Sequence, residues 1–254
     1  MLTILSPAKT LDLETPPYTT HTQPEFLKEA TTLNKALRKC SSKDLQSLMG
    51  LSEKLATLNV DRNKAWTTPF SPANAYTAAF AFQGEVYVRL DAKSFTKADL
   101  TFAQDNLRFV SGLYGILRPL DLMQPYRLEM GTSLKTTAGK NLYEFWGSAL
   151  SEHLSETLAS HKNKVLINLA SNEYSKAIPK GALDAEIITP IFKEKKGDSY
   201  KVVAILAKRA RGLMARYIVK KKLTSPAKLK DFDVDGYAFN PDLSTESDWV
   251  FTRD

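Results

Sequence analysis

Lys164–Tyr174 reads KVLINLASNEY, and its two halves decide the fold. Lys164 to Asn168 is a short, apolar, β-branched run, the composition of a buried strand. It passes straight into the polar cluster Ser171-Asn172-Glu173-Tyr174. In sheets flanked by helices, ligands gather at such strand ends. Ser171 or Asn172 also suits a helix cap with Glu173 in the favoured first turn, and the two roles are compatible. Leu2–Leu5 repeats the pattern. It is a short buried strand with Ser6-Pro7-Ala8-Lys9-Thr10 at its C-terminal end, which places Lys9 to hold an anion.

Working outward, strands are expected at Ala185–Phe192 (broken at Pro190), Val202–Leu206, Tyr237–Phe239 and Trp249–Phe251. Glu85–Leu90 reads as a strand or a short helix, and Lys193–Asp198 as a charged turn. Pro24 suits the first turn of a helix to about Arg38. Ser71 caps a helix through Phe80, and Thr96 with Asp99 forms a reciprocal cap for a helix to about Leu107. Asn141–Ser160 reads as one helix with Trp146, Leu150, Leu154 and Leu158 on one face. Strands separated by helices predict an α/β fold, a mixed β-sheet wrapped by helices in one domain over residues 1–254, with a helical annex at about residues 24–70.

At 254 residues, with 43% hydrophobic and 25% charged residues, the chain resembles an ordinary soluble protein with ample core. Cys40 is the one cysteine, which excludes an internal disulfide and fits a reducing compartment. No apolar run is long enough for a membrane span, and the opening is too brief for a signal peptide, so a cytoplasmic location is expected. There is no dinucleotide or Walker A glycine pattern. His21, His153, His161 and Cys40 form no zinc or iron constellation, so neither a metal nor a cofactor is expected. Asp231–Gly236 with Asp242 matches much of a calcium-loop spacing, but Pro241 and the lack of flanking helices argue against that use.

The net charge of +7 favours an anionic partner. Lys201 to Lys230 holds ten Lys or Arg and no acid. On a helix over Lys208–Lys220, Ala210, Leu213, Met214, Tyr217 and Ile218 cover one side. Lys208, Arg209, Arg211, Arg216 and Lys220 fall on the other, the pattern of a phosphate-backbone contact.

Two further stretches carry candidate chemistry. Ser111–Gly131, SGLYGILRPLDLMQPYRLEMG, is rich in Gly and Pro and follows no helical or strand period. It predicts an irregular frame holding Arg118, Asp121, Arg127 and Glu129, or else a connecting loop with solvated charges. Residues 43–58 read as two short helices turning at Gly50. This resembles the helix-hairpin-helix of DNA-binding proteins, in which backbone N–H groups point at a phosphate. Ser52 stands where a second glycine is usual and is expected to cap the second helix, with Lys43 and Lys54 adding charge.

RPLDLMQPYRLEMG (118–131), LSPAKTLD (5–12), NLASNEY (168–174) and AKRARGLMARYI (207–218) together resemble the bacterial YaaA family of peroxide-stress proteins over nearly the whole chain. The resemblance implies resistance to peroxide, less unincorporated intracellular iron, and DNA binding through the hairpin.

Three functions are expected. The first is structure-directed binding of double-stranded or structured DNA by the hairpin and a basic groove, with no membrane partner. The second is an enzyme for a phosphorylated or nucleotide-like small anion. There Lys9, Arg118, Arg127, Lys208 and Arg211 would hold the ligand, and Glu129 or Glu173 would act as acid or base. A scaffold meeting an acidic protein is the third.

Overall fold

The computed structural model describes residues 1–254 apart from Pro17 and Lys180. In chain order the strands are β1 (Leu2–Leu5), β2 (Thr10–Leu11), β3 (Tyr76–Thr77), β4 (Phe82–Gln83), β5 (Leu107–Ser111), β6 (Gly115–Leu117), β7 (Leu122–Met123), β8 (Val165–Asn168), β9 (Glu186–Lys196), β10 (Ser199–Lys201), β11 (Ala238–Phe239) and β12 (Asp248–Arg253). The helices are α1 (Leu27–Leu37), α2 (Ser42–Met49), α3 (Glu53–Ala65), α4 (Ala78–Ala81), α5 (Glu85–Leu90), α6 (Lys97–Asn106), α7 (Leu142–Trp146), α8 (Ala149–Ala159), α9 (Asn172–Ser175) and α10 (Ala204–Lys220).

Among the described residues, eight strands form one mixed sheet in the order β11-β12-β9-β8-β1-β5-β6, with β10 paired to β9. Its centre is parallel: β12 with β9, β9 with β8, β8 with β1 and β1 with β5. The antiparallel strands β6, β10 and β11 are added at β5, β9 and β12. β1 is buried throughout, as parallel strands covered by helices on both faces must be. One continuous core runs from β1 through α1 and α8 to β12, so the chain is a single α/β domain.

Several elements differ from the sequence expectation, each for a local reason. Residues 71–75 form a turn in which Ser71 N–H donates to Asn74 Oδ1 at 2.8 Å, and Tyr76–Thr77 then pairs with β7. A helix through Phe80 is therefore replaced by a turn, a strand and the short α4. Helix α1 begins at Leu27 with Phe26 as its N-cap, so Pro24 lies outside it. The expected single helix over Asn141–Ser160 divides at Gly147, whose φ of 48° and ψ of −124° end α7. The break leaves Trp146 Nε1 donating to Gly112 O at 3.1 Å, beneath the β5–β6 turn.

Strand β9 runs through Pro190 instead of breaking there. Thr189 N–H donates to Ser247 O, while the last β8 residue paired to β9 is Ile167, opposite Ile188. Pro190 thus has no ladder bond to lose on the β8 side. The same strand continues to Lys196, replacing most of the expected charged turn at Lys193–Asp198. Val202–Leu206 is not a strand, because α10 starts at Ala204. Ser111–Gly131 contains β6 and β7, so it is more regular than its composition suggests.

Candidate functional site

Because β1 and β8 are adjacent and parallel, their C-terminal ends open on the same edge. Two serines lock those ends together. Ser171 N–H donates to Ser6 Oγ at 2.9 Å, Ser6 Oγ donates to Ser171 Oγ at 3.2 Å, and Tyr87 OH from α5 donates to Ser6 O at 2.7 Å. Beyond them lies a cleft of about 510 Å³, whose charged lining comprises Lys9, Glu85, Glu173, Lys208 and Arg211. Burial pushes the Tyr87 and Tyr174 phenols upward, so both stay neutral hydrogen-bond groups on the cleft wall.

The central stretch reaches this cleft through its last residues. Lys9 Nζ lies 2.5 Å from Glu129 Oε2, and Glu129 Oε1 accepts from Arg127 Nη2 at 3.3 Å. Arg127 Nε is buried without a hydrogen-bond partner among the described residues. Glu173 Oε1 accepts Gly131 N–H at 2.9 Å, and Tyr143 OH donates to the Glu173 carbonyl at 2.8 Å. Lys9 and Glu173 therefore line the cleft itself, while Glu129 and Arg127 are tied to it through Lys9 and are not part of its lining. Arg118 is elsewhere. It pairs with Glu25 at 2.9 Å and with the fully buried Asp121 at 3.0 Å, and it donates to Gln23 O, which ties residues 22–25 to the central stretch.

The basic helix does not present a uniform cationic face. Arg209 pairs with Glu85 at 2.6 Å, and Arg216 with Asp91 at 3.3 Å, while also donating to Leu90 O and Ser94 Oγ. Lys220 pairs with Asp99 at 2.8 Å, and Lys222 joins it at 3.3 Å. These carboxylates come from α5, α6 and the turn between them, against which α10 is set. Gly212 allows that approach, since a Cβ there would lie 2.1 Å from Val86 O. Two cations are left over. Lys208 and Arg211 have no carboxylate partner among the described residues, and both line the cleft. Burial lowers the Arg211 guanidinium below the usual arginine value, so its charge is partly desolvated.

The hairpin is exposed at its tip. Gly50 ends α2 in the left-handed region at φ 62°, and a Cβ there would meet nothing within 4 Å, so glycine serves the turn itself. The N–H groups of Gly50 and Leu51 both return to Gln46 O. Ser52 caps α3 by accepting Leu55 N–H at 3.4 Å, and among the described residues the amides of the exposed Ser52, Glu53 and Lys54 have no acceptor. Lys43 and Lys54 are exposed and unpaired among the described residues, and Leu45 anchors the hairpin in the core. Helix α3 then runs from the tip to Arg62, about 15 Å at 1.5 Å per residue. There the Arg62 guanidinium is lowered by burial and by its neighbour Arg127.

Sequence reasoning missed Ser6, Tyr87 and the sorting of the α10 cations. The partners Glu85, Asp91 and Asp99 lie over 100 residues from α10, where no local pattern signals them.

A family described as "Peroxide stress protein YaaA" matches residues 1–243. The chain is 52% identical over 255 residues to a UPF0246 protein of Hahella chejuensis, covering 100% of both. It is likewise 52% identical over 254 residues to UPF0246 proteins of Saccharophagus degradans and Dechloromonas aromatica, covering 100% of this chain and 99% of each relative.

Proposed function

The chain belongs to the peroxide stress protein YaaA family, and from that premise we propose that it binds nucleic acid through its phosphates. The cleft takes one phosphate-bearing group and the α2–α3 hairpin takes the adjoining backbone. One observation carries this reading. Of the α10 cations, only those that line the cleft, Lys208 and Arg211, lack an internal carboxylate among the described residues. Arg211 is partly buried, and such a cation is costly unless an anion completes it, while Lys208 is exposed at the cleft with its charge felt by Glu85. The unfilled amides at the start of α3 supply a second phosphate site of the kind that helix N-termini provide.

Such binding is independent of base sequence and weakens steeply with salt. Protein cations on the backbone also compete with loosely held ferrous ion there, which connects this reading to peroxide damage and to the family's association with iron. The test is a titration of a short fluorescent DNA duplex from low to moderate salt, using the wild-type chain and the Lys54→Glu and Lys208→Glu variants. Salt-sensitive binding weakened in both variants supports the proposal; affinity indifferent to salt overturns it.

A second reading is favoured by the linkage of Lys9, Arg127 and Glu129 beside Glu173. Lys9 and Glu173 on the cleft lining, with Glu129 and Arg127 linked to Lys9, suit acid–base chemistry on a phosphorylated or nucleotide-like substrate. It predicts turnover of some member of a phosphate-ester panel that is lost in Glu173→Gln.

A further inference from the structure

Away from the cleft, a groove of about 750 Å³ lies between α1, α2 and the Ser133–Thr137 segment. Lys35 on α1 and Lys39 in the turn that follows it line the groove together with Lys135. All three are exposed, and none has a carboxylate partner among the described residues. Asp44 is the acid in the lining, and its carboxylate is engaged by the N–H and hydroxyl of Ser41 at 2.8 and 2.7 Å. Ser47, Ser133 and Thr137 add hydroxyls without internal partners among the described residues, while Ala36, Leu48 and Leu134 form an apolar floor. Ser47 and Leu48 sit in the last turn of α2, so the groove opens about 5 Å from the hairpin tip at 1.5 Å rise per residue.

We propose that this groove is a second track for the phosphodiester backbone of a bound nucleic acid, continuing from the hairpin amides along Lys39, Lys35 and Lys135. The inference rests on the nucleic-acid reading above and extends it to residues that neither the basic helix nor the central stretch contains. Convergence is the basis. Three lysines without carboxylate partners among the described residues, from the end of α1 and from the Ser133–Thr137 segment, line one groove, with hydroxyls to accept or donate and apolar side chains for sugars. Phosphates each require one cation and tolerate lysine as a point charge. An acidic protein segment would call for the same charge but not for continuity with the amides at the hairpin tip.

The test uses the full chain with Lys35→Gln, Lys39→Gln and Lys135→Gln combined, titrated against the same fluorescent duplex across a salt series. The expected result is a log–log salt slope shallower by roughly 2 to 3, since each duplex phosphate contact contributes about 0.9. Thermal unfolding matching that of the wild type confirms that the change is local. A slope equal to the wild-type slope overturns the groove proposal while leaving the hairpin and cleft in place. Absence of salt-sensitive binding by the wild type overturns both. Retention of the full duplex slope together with loss of binding to a polyglutamate probe assigns the groove to an acidic protein and also overturns it.

Discussion

Lys9 Nζ and Glu129 Oε2 lie 2.5 Å apart, joining the loop that leaves β1 to the end of the glycine- and proline-rich central stretch. The same carboxylate accepts from Arg127, so one acid restrains two cations at the edge of the cleft. Of the three groups, Lys9 lines the cleft, so Glu129 offsets part of the charge there.

Replacing Glu129 with Gln therefore releases Lys9 and Arg127 together. Affinity of the cleft for inorganic phosphate is expected to rise several-fold at low salt, because Coulomb attraction in a partly desolvated site outweighs that in water. Isothermal titration with phosphate measures this directly; unchanged or weaker binding shows that the pair is structural. If the second functional reading holds, the same variant loses turnover.

Asp99 pairs with Lys220 and Lys222 at the far end of α10. Its carboxyl is held well below the ordinary 3.8, chiefly by Lys220, then by the Thr96 N–H, the Thr96 hydroxyl and Lys222. A carboxyl depressed in the folded state contributes stability that is fully present above the unfolded value and is lost as pH falls through the folded one. Wild-type stability should thus decline below about pH 4, and Asp99→Asn should flatten that decline while lowering stability at neutral pH by about 1–2 kcal/mol through the weakened cap. Chemical denaturation at several pH values tests it; parallel curves for the two proteins would reject the role.

Much of this architecture is legible in the sequence. The buried strands β1 and β8, the Thr96–Asp99 cap and the turn at Gly50 each follow from residues within a few positions of one another. Val202–Leu206 misleads because a short apolar run fits a strand or a helix start equally well. Packing of Ala207, Ala210 and Met214 into the core decides for the helix. The candidate site is only half legible. Local spacing marks Lys9, Glu173 and the basic helix, but the neutralisation of Arg209, Arg216 and Lys220 depends on partners brought in by the fold.

Gly212 and Gly50 separate packing from backbone conformation. Gly212→Ala drives a methyl group into Val86 O on α5, where the contact would be 2.1 Å, and overpacking of this kind costs about 1–3 kcal/mol. It should also displace Lys208 and Arg211 and weaken anion binding. Gly50→Ala meets open space and carries only the left-handed penalty of about 1–2 kcal/mol, with cleft binding intact. Denaturant melts combined with phosphate titration of both variants check this, and equal losses of binding would contradict it.

The most direct measurement compares two double variants of α10 in duplex binding across a salt series. Lys208→Gln with Arg211→Gln removes the unpaired cations, whereas Arg209→Gln with Arg216→Gln removes cations already held by Glu85 and Asp91. The account predicts that the first pair lowers the salt slope by roughly 1 to 2 and leaves thermal stability near wild type, while the second mainly lowers stability. Equal slopes for the first pair and the wild type, or a larger slope change from the second pair, would contradict the assignment of the cleft as the phosphate site.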